Sequence, residues 1–151
     1  TVALAERFNA EVSDTINFEF DSAVLTEEAI VILREQANFI KQFPEVRFKV
    51  FGHTDLVGSA GYNQRLGLRR AQAAVAYLVS QGISKSRLEA VVSFGKTQPI
   101  VQTTQPEVRN RRTVTEVSGF VESHPLVLNV GSAVRPVEAA SGTQSEVAGG
   151  G

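Results

Sequence analysis

The chain has 151 residues, 42% of them hydrophobic, and its formal net charge at pH 7 is −1. This length and composition predict one folded domain, alone or with a tail, and exclude a disordered polar chain. Because the sequence has no cysteine, disulfides, thiol catalysis, cysteine-ligated metal centres and a lipidated cysteine are excluded within these residues.

Hydrophobic periodicity and capping residues divide the chain into helices and strands. Apolar residues alternate with polar ones from Ile16 to Phe20, and they recur at helical spacing after Thr26, a suitable helix N-cap. The predicted elements, in chain order, are helix 2–8, strand 16–20, helix 26–43, strand 46–50, helix 59–81, strand 88–94 and strand 112–118. The third helix is expected to end at Gly82 and to bury a stripe of Leu68, Ala71, Val75 and Leu78.

After the first helix, these elements follow the order β-α-β-α-β-β. Two strand–helix–strand crossovers predict an α+β two-layer sandwich, with a mixed sheet covered by helices on one face. We assign residues 1–14 to an N-terminal helix or linker, 15–119 to the folded domain and 120–151 to a flexible C-terminal extension, which is rich in small and polar residues. No run of 18 apolar residues and no basic-then-apolar leader occurs, so we expect no membrane span and no signal peptide in this sequence.

The net charge conceals an uneven distribution along the chain. Residues 1–64 hold ten acids and five bases, a net of −5, whereas residues 65–112 hold seven arginines and two lysines against two glutamates, a net of +7. Such a basic segment is either a solvated helix face and loop or a site for an anionic partner, such as a carboxylate, a phosphate or a nucleic acid. Composition leaves both interpretations open.

The stretch from Gly52 to Arg70 holds the candidate binding residues. Asp55 follows a strand, and Asn63, Gly67 and Arg70 are spaced four and three apart, so these three share one helix face. We expect that face to differ from the apolar stripe of the same helix. A glycine inside a helix costs about 1 kcal/mol relative to alanine, which either a close-approaching ligand or tight packing against a neighbouring element would explain.

Asp55 and Arg70 supply opposite charges to this region. A guanidinium binds a carboxylate in a bidentate manner, and a carboxylate accepts hydrogen bonds from an ammonium. The two residues therefore favour a zwitterionic, amino-acid-like ligand; the alternative is that they pair with each other. His53 near Asp55 raises the possibility of acid–base catalysis, but no nucleophile or metal-ligand set accompanies them, and the chain has two histidines in all. We predict a binding protein that is not an enzyme, with no metal and no cofactor.

Several short motifs follow one another along residues 15–118. They are Phe18-Glu19-Phe20-Asp21-Ser22, Gly52-His53-Thr54-Asp55, Gly58-Ser59, Tyr62-Asn63, Arg69-Arg70-Ala71, Ser93-Phe94-Gly95-Lys96 and Arg109-Asn110-Arg111-Arg112. In this order they resemble the OmpA-like C-terminal domain family. The sequence departs from common members in its apolar Leu56-Val57 and in having Gly67 where serine is frequent.

The resemblance implies noncovalent binding of bacterial peptidoglycan through the diaminopimelate residue of its stem peptide. In the family, the aspartate matching Asp55 holds the diaminopimelate ammonium, and the arginine matching Arg70 holds the adjacent carboxylate. Positions that line or brace the pocket match Thr54, Asn63, Arg111, Phe20 and Asp21, with Arg112 as the alternative to Arg111. The resemblance also implies a location on the periplasmic side of the envelope, associated with the outer membrane.

Two other interpretations remain. Flagellar-motor stators and protein-docking lipoproteins carry the same kind of domain, so envelope proteins are further candidate partners beside peptidoglycan. A nucleic acid is the other candidate partner for the basic segment 65–112. Its aromatic residues are few, Tyr77 and Phe94, whereas single-stranded nucleic acids need aromatic platforms for stacking. We therefore expect peptidoglycan, and no nucleic acid, as the partner.

Overall fold

The fold is given by a computed structural model that describes residues 2–121. Its elements, in chain order, are β1 (Val2–Ala3), α1 (Leu4–Glu11), β2 (Thr15–Asn17), α2 (Glu27–Gln42), β3 (Arg47–His53), α3 (Ala60–Ser80), β4 (Leu88–Gly95), β5 (Arg112–Ser118) and β6 (Phe120–Val121). Short 3-10 turns cover Lys85–Arg87 and Val108–Asn110. Across this described part of the chain, no helix has the length and apolar character needed to cross a membrane. The extension predicted for 120–151 lies outside the described residues from 122 onward.

The main sheet has the strand order β2-β5-β3-β4. β3 and β4 run parallel, whereas β5 is antiparallel to both of its neighbours, β2 and β3. The α2 crossover joins β2 to β3, and the α3 crossover joins β3 to β4. The predicted mixed sheet and the β-α-β-α-β-β order are therefore confirmed, and a small β1–β6 pair is added to them.

Both long helices begin at the predicted caps and cover one face of the sheet. Thr26 accepts a hydrogen bond from the Ala29 amide at 3.1 Å, and Ser59 accepts one from the Tyr62 amide at 3.1 Å. Each bond satisfies a backbone N–H that has no partner within the helix. Gly82 follows the end of α3 with a φ of +99°, a left-handed conformation that suits glycine at a helix end.

The N-terminal segment packs onto the domain. Leu4 and Phe8 of α1 are fully buried in the hydrophobic core, and the Phe8 ring meets the Phe39 ring edge-on with centroids 5.2 Å apart. The Leu4 amide also donates to the Gly119 carbonyl at 3.0 Å, beside the β1–β6 pair. The segment before residue 15 therefore packs against the folded domain, and residues 120 and 121 pair with that segment. The domain boundaries at 14/15 and 119/120 remain predictions.

The first strand of the main sheet is shorter than the predicted 16–20. β2 ends at Asn17, which pairs with Arg112, the first residue of β5. No strand partner continues beyond that point, because the chain before Arg112 forms a 3-10 turn. Phe18 is 1% exposed, whereas Phe20 turns outward and is 51% exposed.

The rotation of α3 also differs from the prediction. Leu68, which we expected to be buried, is 37% exposed, and Leu66 is buried in its place. The cause is a backbone contact between α3 and β3. A Cβ atom on Gly52 would lie 1.8 Å from the Gly67 carbonyl oxygen, so the two segments approach more closely than any side chain permits. This contact turns the Gly67 side of the helix toward the sheet and turns Leu68 outward.

The same rotation buries the polar face of α3. Asn63 and Arg70 are 1% and 0% exposed, and they lie on the same buried side as the apolar residues Ala71, Val75 and Leu78. The expectation that the face with Asn63, Gly67 and Arg70 lies apart from the apolar stripe was therefore wrong. Of the two explanations for Gly67, tight packing against β3 accounts for its presence.

Candidate functional site

A small pocket lies between the loop after β2, the loop after β3 and the start of α3. Its volume is about 170 Å³, below the roughly 300–1,000 Å³ of sites for drug-sized ligands, so it suits the end of one side chain. The lining residues are Phe20, Asp21, Asp55, Val57, Gly58, Tyr62, Asn63, Leu66 and Arg70. Five of the seven predicted site residues are thus brought together, and Thr54 and Arg111 lie outside the lining.

Asp55 is 3% exposed and has a fixed orientation. Its Oδ1 accepts from the Val57 amide at 3.3 Å, and its Oδ2 accepts from the Glu107 amide at 3.3 Å. Arg111 Nη1 also donates to Oδ2, at 3.0 Å. A carboxylate has about four lone-pair sites, so these three donors leave one acceptor position for a ligand.

Arg70 is the largest fully buried side chain among the described residues. Its Nε donates to the Ser22 carbonyl at 2.8 Å, Nη1 to the His53 carbonyl at 3.0 Å and Nη2 to the Glu19 carbonyl at 3.1 Å. Because a guanidinium has five N–H groups, one N–H on each of Nη1 and Nη2 is left for a ligand. Burial lowers the pKa of Arg70 to about 10, so the side chain remains charged at neutral pH.

Asp55 and Arg70 share the pocket without forming a salt bridge to each other, since the ion pair of Asp55 is with Arg111. Three backbone carbonyls satisfy Arg70 instead. Asp55 and Arg70 therefore do not form the mutual ion pair that the sequence left open as an alternative. The interior of the pocket presents one buried cation and one buried anion that both retain hydrogen-bonding capacity, and Asp21 adds an exposed carboxylate at the rim.

Thr54 and Asn63 brace the loop that carries Asp55. Thr54 Oγ1 donates to the Asp55 carbonyl at 2.9 Å, and the Thr54 amide donates to the Gly95 carbonyl at 2.9 Å. Asn63 Nδ2 donates to the Val57 carbonyl at 2.7 Å and to the Ser59 carbonyl at 3.0 Å. Asn63 lines the pocket as well, whereas Thr54 acts through the loop backbone.

The rim of the pocket is formed by Phe20, Asp21 and Tyr62. The Tyr62 hydroxyl donates to Asp21 Oδ1, and this hydrogen bond raises the pKa of Tyr62. Asp21 has a φ of +53°, in the left-handed region that aspartate tolerates better than most residues. Tyr62 was not among the predicted site residues. The sequence feature that could have indicated Tyr62 is its position next to Asn63 in the first turn of α3.

Arg111 and Arg112 point to opposite sides of the domain. Arg111 reaches Asp55 and also donates from Nε to the Phe18 carbonyl at 2.8 Å. Arg112 is 7% exposed and donates to the carbonyls of Asn110 and Gln98, each at 3.1 Å. Arg111 is therefore the residue of the two that contacts a pocket side chain, from outside the lining, and Arg112 is buried elsewhere.

The sequence matches a known protein family. A model of the OmpA family matches residues 17–113. The chain belongs to the OmpA family. The resemblance found in the sequence motifs is thus confirmed, and so is the fold class.

Relatives and solved structures agree with this assignment. The peptidoglycan-associated lipoproteins of Mesorhizobium japonicum and Agrobacterium fabrum are 37% and 36% identical to the chain, over 79% and 74% of its length. These matches span 71% and 64% of the two lipoproteins. The crystal structure of the Burkholderia pseudomallei peptidoglycan-associated lipoprotein superposes with a TM-score of 0.66 at 29% identity, covering 70% of this chain and 91% of that one.

A more distant structure shares the fold alone. The C-terminal domain of Helicobacter pylori MotB superposes with a TM-score of 0.62 at 22% identity, covering 77% of this chain and 89% of that one. The fold of this OmpA-family domain is thus shared with a protein whose sequence is very different.

Part of the basic segment of this OmpA-family domain has partners within the fold. Arg70 and Arg112 are buried, and Arg109 pairs with Glu107 at 2.9 Å. Arg87 donates to carbonyls at the end of α2 and the start of β3. These four of the nine basic residues of the segment are engaged with backbone carbonyls or with a neighbouring acid.

Proposed function

We propose that the pocket binds the diaminopimelate residue of a peptidoglycan stem peptide. The observation that carries this proposal is a buried anion, Asp55, and a buried cation, Arg70, in one pocket of about 170 Å³. Asp55 retains one acceptor position for an ammonium, and Arg70 retains one N–H on each terminal nitrogen for a carboxylate. The free end of a diaminopimelate side chain carries an ammonium and a carboxylate on a single carbon.

The charge pair gives a basis for discrimination between cell-wall types. Lysine, in the same position of a stem peptide, has the ammonium and lacks the carboxylate. The buried Arg70 would then keep two N–H groups without a partner, and a buried polar group without a partner costs about 1–3 kcal/mol. We expect diaminopimelate-type peptides to bind about 10-fold to 100-fold more tightly than lysine-type ones.

The relatives support the same role at the level of the whole protein. Two of them bear the name peptidoglycan-associated lipoprotein, and a third, 37% identical over 105 residues, is the outer membrane porin F of Pseudomonas aeruginosa. The domain would thus anchor the outer membrane, or an envelope protein, to the wall from the periplasmic side. Binding involves no covalent step, so the proposed role is not enzymatic.

Affinity for one stem peptide should be modest. A charge-assisted hydrogen bond contributes about 1.5–3 kcal/mol, from which the desolvation of both charges is subtracted. The wall, however, repeats the ligand many times. A domain tethered near it rebinds at a high effective concentration, so firm attachment needs no tight individual site.

The decisive experiment is co-sedimentation of the chain with purified peptidoglycan. Asp55→Asn keeps the size and most hydrogen bonds of the side chain but removes its charge, so we expect retention on diaminopimelate-type walls to fall at least 10-fold. Glu89→Gln is the matched control, because Glu89 is an exposed acid on β4, and it should be retained like the wild type. Thermal melting of both variants shows whether each is folded.

Arg70 needs a gentler test because its truncation would leave three carbonyls without donors. Arg70→Lys keeps the charge but loses the two-pronged geometry, so discrimination between diaminopimelate-type and lysine-type walls should shrink while the fold persists. The matched control is Arg65→Lys, at an exposed position of the same helix. Undiminished retention of a folded Asp55→Asn variant, or equal retention of the wild type on both wall types, would contradict the proposal.

A further inference from the structure

A second cavity lies on the opposite face of the sheet, which α2 and α3 leave uncovered. Its volume is about 330 Å³, within the usual range for small-molecule sites of roughly 300–1,000 Å³. The lining residues are Phe51, His53, Phe94, Gln98, Arg112, Val114 and Glu116. Side chains alternate across a strand, so these residues of β3 and β5 face away from the helix-covered core.

Aromatic rings and a valine form the apolar part of the cavity. The Phe51 and Phe94 rings stack with centroids 5.5 Å apart and planes inclined by 15°. The His53 ring lies against Phe94 at 5.4 Å. Val114 stands opposite Phe51 in the β3–β5 register. An apolar ligand body can pack against these side chains.

Arg112 supplies a buried positive charge to the same cavity. It is 7% exposed, and two of its N–H groups donate to the backbone carbonyls of Asn110 and Gln98. Three of its five N–H groups remain. The ion pairs found among residues 2–121 do not include Arg112, so within that part of the chain its charge has no carboxylate partner. A buried charge without an opposite charge favours an anionic ligand.

The other polar groups of the cavity do not cancel this charge. Glu116 is exposed and stands directly opposite Lys49 in the β3–β5 register, and the ion pairs found among residues 2–121 do not join it to Arg112. His53 faces Arg112 in the same register, and burial together with the Arg112 charge lowers the pKa of His53 to about 4. His53 is thus neutral at pH 7. Its Nδ1 is buried and lacks a hydrogen-bond partner within the described residues.

We propose that this cavity binds a small ligand bearing a carboxylate on a flat apolar body. The carboxylate accepts hydrogen bonds from Arg112, and the body lies against the Phe51 and Phe94 rings. This site is separate from the Asp55 pocket, on the other face of the sheet. Its existence does not depend on the peptidoglycan proposal.

The test uses phenylacetate as the probe and phenylacetamide as its uncharged counterpart of nearly equal size. In two-dimensional NMR of the whole chain, phenylacetate should shift the signals of Arg112 Nε–H, His53 and Phe94 in a saturable manner. Phenylacetamide should bind at least 10-fold more weakly. Equal affinities of the two probes, no saturation by phenylacetate, or binding of inorganic phosphate in preference to it would each overturn the proposal.

Variants locate the site. Arg112→Gln should abolish the preference for phenylacetate over phenylacetamide, whereas Arg109→Gln, an exposed arginine of the same segment, should keep it. Val114→Phe fills the cavity and leaves Arg112 in place, so it should weaken phenylacetate binding at least 10-fold even where Arg112→Gln does not fold. Asp55→Asn should bind phenylacetate like the wild type. Loss of binding in Asp55→Asn would place the probe in the first pocket and refute a second site.

Discussion

Arg111 Nη1 donates to Asp55 Oδ2 at 3.0 Å, so the ion pair beside the pocket joins the segment before β5 to the loop after β3. The two side chains are 13% and 5% exposed. Arg111 also holds the Phe18 carbonyl through Nε. Removing one partner of a buried pair leaves the other charge uncompensated, which is far more costly than losing an exposed pair.

This pair should therefore contribute measurably to stability. Arg111→Gln is expected to lower the free energy of unfolding by about 2–4 kcal/mol, because it leaves the Asp55 carboxylate without its cation and the Phe18 carbonyl without its donor. Chemical denaturation of Arg111→Gln, Asp55→Asn and the double variant measures the coupling between the residues, which should exceed about 1 kcal/mol.

The Arg109–Glu107 pair, whose arginine is exposed, is the control for that experiment. Its arginine side chain is 66% exposed, so the coupling measured with Arg109→Gln and Glu107→Gln should stay below about 1 kcal/mol. Equal coupling in the two pairs would show that burial of the Asp55–Arg111 pair has no energetic consequence.

A second prediction about stability follows from the Gly52–Gly67 contact. A Cβ atom on Gly52 would meet the backbone carbonyl oxygen of Gly67 at 1.8 Å, which only a shift of β3 or α3 relieves. A Cβ atom on Gly67 would meet Ser93 Oγ at 2.3 Å and the Gly52 carbonyl oxygen at 3.2 Å. Overpacking costs typically 1–3 kcal/mol and occasionally more. We expect Gly52→Ala to cost more than about 3 kcal/mol and Gly67→Ala about 1–3 kcal/mol.

Gly61 provides a control within the same helix. The nearest atom to a Cβ at this position is Arg65 Nη1 at 3.6 Å, an ordinary contact with a flexible side chain. Gly61→Ala should therefore stabilise the domain by up to about 1 kcal/mol through helix propensity. Thermal melting of the three variants gives their order, and a Gly52→Ala variant as stable as Gly61→Ala would disprove the packing explanation.

The sequence predicted the elements well where local signals agree. Thr26, Ser59 and Gly82 stand at helix ends where side-chain caps and a left-handed glycine are required, and each does what its residue type indicates. Periodicity did not predict how α3 is rotated. Leu68 and Leu66 are both apolar, and the Gly52–Gly67 contact, between residues 15 positions apart, decides which one is buried.

The sequence indicated the charged residues of the candidate site but not their partners, because those contacts join distant parts of the chain. Asp55 and Arg70 stand out as charges near a strand end and on a helix, and the motifs of the family select them among the other charged residues. The partners of these two groups are backbone atoms or residues far along the chain. Arg70 donates to carbonyls 48 and 51 positions away, at Ser22 and Glu19, and no local pattern predicts such contacts.

Arg87 illustrates a stabilising residue without a sequence signal. Its guanidinium donates to the Ile40 carbonyl at 2.9 Å and to the Val46 carbonyl at 3.0 Å, and it also reaches the Phe43 carbonyl. It thereby adds a charged donor to the Ile40 and Phe43 carbonyls, which also accept from the Phe43 and Val46 amides. Burial lowers the pKa of this arginine, whose position is fixed by the turn before β4.

Arg87→Gln should lower the free energy of unfolding by about 2–3 kcal/mol, since hydrogen bonds to a charged donor contribute about 1.5–3 kcal/mol each and a glutamine recovers part of them. Lys85→Gln in the same 3-10 turn is the control, because Lys85 is exposed, and it should change stability by less than about 0.5 kcal/mol. Similar losses in both variants would mean that the turn, and not the Arg87 contacts, is responsible.

Acid stability should depend on His53. Burial first, and then the charge of Arg112, lowers the pKa of His53 from 6.5 to about 4. Below pH 6.5 the unfolded chain binds this proton while the folded chain does not, so the stabilising contribution is complete above pH 6.5 and is lost as the pH falls to about 4. The full difference corresponds to about 3 kcal/mol. His53→Phe, which keeps a ring beside Phe94, should remove this slope, and the difference between wild type and variant in urea unfolding at pH 4, 5, 6 and 7 measures it. A constant difference over that range would show that His53 binds its proton equally in both states.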